Sequence, residues 1–116
     1  MYDLKRFELL EKGWDSYDAD PPNDGSIRLT KNMIVMLETH GVNVNYVQPS
    51  VEGGLALIMV GQQPDTGVKD QHWAEIECDN DGDIGVCLSD GRVWFVMEEF
   101  YTVKESIDKI KEWLVS

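Results

Sequence analysis

Apolar residues recur at helical intervals near both ends of this chain and at alternating intervals through its middle. Leu4, Phe7 and Leu9 or Leu10 predict a short helix over residues 2–12, stopped near Gly13. A polar stretch from Trp14 to Gly25, holding Pro21, Pro22 and Asn23, reads as a loop. Ser26 or Asp24 is expected to cap a second helix whose buried stripe is Leu29, Met33, Met36 and Leu37, with Gly41 closing it in the left-handed conformation. The period then becomes two. Residues 45–51 and 55–61 are expected strands joined at Glu52-Gly53-Gly54. Residues 62–71 form an expected exposed loop, and further strands are expected near 72–78, 84–89 and 92–98. Thr102-Val103-Lys104-Glu105 has the form of a capping box, opening a last helix striped by Val103, Ile107, Ile110 and Leu114. The predicted fold is α+β: a five-stranded antiparallel meander sheet with helices packed on one face, in the order ααβββββα, forming a single domain over residues 1–116.

Two turns set the predicted register. A three-residue loop at Asn80-Asp81-Gly82, with Gly82 left-handed, places Asp79 opposite Asp83, Cys78 opposite Ile84, Ile76 opposite Val86 and Ala74 opposite Leu88. Every apolar residue then lies on one face. A two-residue Asp81-Gly82 turn would set Ile76 against Cys87 and split the apolar set, so the pattern selects the first register. A two-residue turn at Asp90-Gly91 next predicts Leu88 opposite Val93, Val86 opposite Phe95 and Ile84 opposite Met97. The other face then carries Trp73, Glu75 and Glu77, Gly85 and Cys87, and Arg92, Trp94 and Val96. Such a face is either a partly solvated one, shielded by the Trp14 loop, or a surface for a protein partner or a second copy. Trp and Arg are common binding anchors.

Charge narrows the partners. Twenty-two acidic and 10 basic residues give a net charge of −12, which repels nucleic acid and anionic membrane. Lys104, Lys109 and Lys111 alternate with Glu105, Asp108 and Glu112 and so read as a solvated helix face rather than a phosphate track. No apolar run follows a basic start, so neither a signal peptide nor a membrane span is expected, and the expected compartment is cytoplasmic. Cys78 and Cys87 are too few for a disulfide framework and fall on opposite faces in the predicted register.

Candidate chemistry is sparse. Asp79, Asp81 and Asp83 begin like a calcium loop, but Ile84 stands where Gly is required and Asp90 where Glu is required. His40 and His72 lack any zinc-type spacing. Glu75 and Glu77 resemble an acid/base pair but are expected to be outer-face charges, and Gly53-Gly54 reads as a tight turn rather than a phosphate loop. No catalytic residue, cofactor or metal is expected.

The segment Gly13-Trp14-Asp15-Ser16-Tyr17-Asp18-Ala19, the helix after it, Gln48-Pro49-Ser50-Val51-Glu52-Gly53-Gly54-Leu55-Ala56-Leu57, and Glu75-Ile76-Glu77 with Asp81-Gly82 together resemble a set of small uncharacterised bacterial and phage proteins. The resemblance covers about residues 8–85, and the chain departs from it at Asp18, where Gly is common, and in lacking a Trp after the Gly-Gly strand. It implies a small accessory factor and carries no activity with it. On their own chemistry, Trp14 and Tyr17 are expected to anchor the long loop, with Asp15 capping backbone amides; the other reading makes them binding determinants.

The expected function is therefore that of a non-enzymatic acidic protein-binding module. Its contacts are expected at Trp73, Glu75, Glu77, Arg92, Trp94 and Val96, together with Asp15, Asp18 and Asp20. One specific form is a phage or mobile-element inhibitor whose carboxylates block a basic nucleic-acid-binding surface of a host protein. The alternatives are an antitoxin or immunity-type role and a homodimeric structural module.

Overall fold

The protein was analysed as a computed structural model, which describes residues 10, 20–50, 53–61, 71–90, 94–96 and 103–115. Helix α1 spans Asp24–Thr39, and strands β1 to β4 span Tyr46–Pro49, Gly54–Val60, Trp73–Asp79 and Ile84–Ser89. A short β5, Trp94–Val96, precedes helix α2, Val103–Val115. The strands lie side by side in chain order, and every neighbouring pair is antiparallel.

The expectation of five full strands in the order ααβββββα is overturned. Two helices are described, and the sheet is built by four strands, β1 to β4, of four to seven residues; Trp94–Val96 adds only a three-residue ladder along β4. The predicted helix over 2–12 lies outside the described residues except for Leu10, which packs against the core.

The two predicted turns fare differently. The β3–β4 register is the predicted one, with Cys78 paired to Ile84, Ile76 to Val86 and Ala74 to Leu88. Gly82 has φ of 90°, and the Asp79 amide donates to the Asp83 carbonyl at 2.9 Å. The β4–β5 register is not the predicted one: Leu88 pairs with Phe95 and Ser89 with Trp94, instead of Leu88 with Val93. The slip is two residues. A slip of two leaves every residue on its original face, so alternation could not detect it, and the Ser89–Trp94 pairing leaves four residues between the strands where the predicted turn has two.

The core lies between one sheet face and the two helices. Ile27, Met33, Ile34 and Leu37 of α1 and Ile107 and Ile110 of α2 form one buried cluster with Val47, Leu55, Leu57, Met59, Ala74, Ile76 and Cys78. Burying Leu55, Leu57 and Ile76 stabilises the fold by roughly 1.5–3 kcal/mol each. The centre is β2–β3. Val86 and Leu88 are half-buried, and Ile84 is 42% exposed at the hairpin end. The α1 stripe is also rotated from the predicted one: Leu29 and Met36 are half-buried while Thr30 is sealed. Thr30 tolerates this because its hydroxyl donates to the Ser26 carbonyl at 2.7 Å. The N-cap is Asn23, not Ser26 or Asp24; its side chain accepts from the Ser26 amide. Gly41 follows the helix with φ of 82°, as expected of a left-handed closing residue.

Candidate functional site

The sheet face away from the helices is laid out by the ladder in three rows. At one end stand Val60, Trp73, Ser89 and Trp94; in the middle Tyr46, Ile58, Glu75, Cys87 and Val96; at the hairpin end Gln48, Ala56, Glu77 and Gly85. Trp73, Glu75 and Glu77 are half-buried, as are Ile58, Val60 and Cys87, while Tyr46 at the β1 edge is 59% exposed. The sequence reading thus placed Trp73, Glu75 and Glu77 on one face and missed the β1 and β2 contribution of Tyr46, Ile58 and Val60. Their alternation with Val47, Leu57 and Met59 carried that signal. The Cys87 thiol is pushed above its ordinary value by burial and then by the Glu75 and Glu77 charges. Both carboxylates therefore act on the centre of this face. Cys78 lies under the opposite face; burial raises its thiol, a Thr30 hydrogen bond opposes that shift, and Asp79 adds to it.

A second feature is an acidic pole. Asn23 and Asn80 bond reciprocally: the Asn23 amide donates to Asn80 Oδ1 at 2.8 Å, and Asn23 Nδ2 donates to the Asn80 carbonyl at 2.9 Å. Asn80 Nδ2 also donates to the Pro21 carbonyl at 3.0 Å, and its amide donates to the Gly53 carbonyl at 3.1 Å. These bonds hold the segment of Asp20 and Asp24 against the hairpin of Asp79, Asp81 and Asp83. Asp20, Asp24, Asp81 and Asp83 are exposed there. An open cleft of about 410 Å³ runs between them, lined by Gly25, Arg28, Leu29, Asn32, Asn80, Asp81 and Gly82.

The opposite end of the sheet carries an aromatic clasp that sequence reading missed. His72 and Trp113 stack with centroids 4.0 Å apart and planes 9° from parallel. His72 Nδ1 donates to the Trp113 carbonyl at 2.8 Å, and Trp113 Nε1 donates to the Trp73 and Ser89 carbonyls at 3.0 and 3.3 Å. The pair docks the end of α2 onto the ends of β3 and β4. Trp113, three residues after Ile110, was legible as a flank of the buried stripe; its partner was not.

Arg92, Asp15 and Asp18 lie outside the described residues, and Trp94 and Val96 are placed by register alone. Among the described residues no group of three His, Cys, Asp or Glu side chains converges as a metal site requires. No helix among them is long and apolar enough to cross a membrane. Comparison with protein-family models, curated proteins and solved structures finds no match, so the resemblance over about residues 8–85 rests on the motif residues alone.

Proposed function

We propose that the chain is a non-enzymatic protein-binding module whose partner presents a basic surface, of the kind that otherwise holds nucleic acid. The observation that supports this most is the acidic pole. Two acid-rich segments, more than fifty residues apart in sequence, are clamped side by side through Asn23 and Asn80 on a chain of net charge −12. Concentrated exposed carboxylates attract a cationic surface and speed encounter with it. An inhibitor from a phage or mobile element is a role that suits this electrostatics.

The test is photo-crosslinking from position 83 in the native cell, with position 112, exposed on α2, as control. Adducts with basic proteins are expected from position 83, and duplex DNA added to the lysate before irradiation should suppress them. Equal adducts from both positions, or adducts indifferent to DNA and to salt, would refute the reading.

A further inference from the structure

We propose that the Asp81–Gly82 link is a site of slow self-modification, at which the folded chain converts aspartate to isoaspartate. This chemistry needs no partner. The tripeptide Asn-Asp-Gly occurs twice, at 23–25 and at 80–82, so the two copies share their local chemistry. Glycine after aspartate favours the reaction, because no side chain shields the glycine nitrogen. The fold treats the two copies differently.

The reaction is a dehydration followed by a hydrolysis. The Gly82 nitrogen attacks Cγ of the protonated Asp81 carboxyl group. A C–N bond forms, and the carboxyl hydroxyl leaves with the amide proton as water, closing a five-membered succinimide. Water then adds to one of the two ring carbonyls and breaks its bond to nitrogen. Addition at Cγ restores aspartate. Addition at the main-chain carbonyl leaves the chain running through Cβ and Cγ, with the former main-chain carboxyl as a side group. Water is the only co-reactant.

Ring closure requires the peptide plane after the aspartate to rotate until its nitrogen reaches Cγ. At Asp81 that rotation breaks two bonds in an exposed turn. They are the Gly82 amide to the Asp79 carbonyl at 3.0 Å and the Asp83 amide to Asp81 Oδ1 at 3.2 Å. Nothing lies within 4 Å of the point that a Gly82 Cβ would occupy, so Gly82 has room to move. Asn80, bonded to the Asn23 amide and the Pro21 carbonyl, holds the chain before the pivot. Turn bonds of this kind open without the core. At Asp24 the same rotation unwinds the start of α1. It breaks the Ile27 amide bond to the Asn23 carbonyl at 3.0 Å and the Ser26 amide bond to the Asn23 side chain at 2.8 Å. Ser26 and Ile27 are both buried, so that opening disturbs the core as well. The product at 81 keeps one carboxylate, so the net charge of −12 stands, while the turn gains a main-chain methylene. Modification therefore reshapes the acidic pole without discharging it.

The experiment is prolonged incubation of the full chain near neutral pH in ¹⁸O-labelled water. Peptide mapping with electron-transfer fragmentation then separates isoaspartate from aspartate. Labelled isoaspartate is expected at position 81, about tenfold or more above position 24. It should be absent in Asp81→Glu, whose longer side chain must close a six-membered ring. In guanidinium chloride the two positions should react alike, which makes the fold the cause of the difference. Equal conversion at 24 and 81 in the folded chain, or conversion at 81 only after unfolding, would overturn the proposal. In the isolated aged chain the Asp79 and Asp83 amide resonances should shift; unshifted resonances would overturn the reshaping of the turn.

Discussion

Replacing Gly54 by alanine tests the tightest joint in the sheet. Gly54 opens β2 at φ of 125°, paired with Asp79. A Cβ there would fall 2.2 Å from the Cys78 carbonyl oxygen and 2.8 Å from the Asp79 Cα, both backbone atoms of the central strand. Backbone cannot swing aside as a side chain can. Gly82 provides an internal reference. Its φ is 90°, yet nothing lies within 4 Å of the point that a Cβ would occupy. Gly82→Ala should therefore cost only the positive-φ strain, about 1–2 kcal/mol, less the roughly 0.4–1 kcal/mol gained by stiffening the unfolded chain. Gly54→Ala carries the same strain and must also push β2 from β3, breaking ladder bonds worth about 1 kcal/mol each. A total of about 3–4 kcal/mol is expected. Urea unfolding followed by tryptophan fluorescence, with a slope of about 1–3 kcal/mol per molar, resolves the difference as a midpoint shift of more than about 1 M. Equal midpoints for Gly54→Ala and Gly82→Ala would refute the close approach and with it the β2–β3 register at Gly54.

Asn80→Ala removes the side-chain hydrogen bonds to the Asn23 amide and the Pro21 carbonyl, and should cost about 2–3 kcal/mol, with faster amide exchange at Ser26 and Ile27. Trp113→Phe keeps a ring against His72 but loses the Nε1 donor to the Trp73 and Ser89 carbonyls, so a loss of about 1–2 kcal/mol is expected in thermal melts. Glu75→Gln removes a charge that raises the Cys87 thiol, so alkylation of Cys87 near pH 8 should quicken in the variant. The Cys78 thiol is raised in the folded chain, so its contribution to stability is present below the ordinary value of 9.0 and is lost as pH rises through the higher folded value; Cys78→Ala should flatten that alkaline decline. Asp83→Asn should leave the melting temperature unchanged while slowing association with the basic partner that position 83 captures.

Legibility followed the physics of each signal. Strand β4 was predicted at its observed bounds, because the three-residue turn and the apolar alternation agreed on one register. The β4–β5 pairing failed where alternation is blind to an even slip. The α1 cap failed because Asn23 is fixed by a tertiary partner, Asn80, fifty-seven residues away. Thr30 stands outside the predicted stripe because a hydroxyl counts as polar, whereas its bond to Ser26 makes it compatible with the core. For the candidate site, the face of Trp73, Glu75 and Glu77 followed from period two alone. The acidic pole did not, since the described bonds that join its two halves, Asn23 and Pro21 to Asn80, run through side chains that no local pattern encodes.

The fold's own needs separate the acids that it uses from those left for a partner. Asp81 Oδ1 accepts from the Asp83 amide at 3.2 Å, closing the hairpin. Asp24 lies in the first turn of α1, where a negative charge complements the helix dipole. Asp83 differs from both. Its backbone carbonyl serves the turn by accepting from Asp79, a task that any residue performs, and its exposed carboxylate takes part in no bond among the described residues. An exposed like charge beside Asp81 is slightly unfavourable for folding, so stability gives no reason for Asp at this position. Asp83 is consequently the residue at which folding and binding separate most cleanly. A variant there that binds normally would remove the pole from the function, because every other acid in it can be explained by the hairpin, the helix start or bonds of its own.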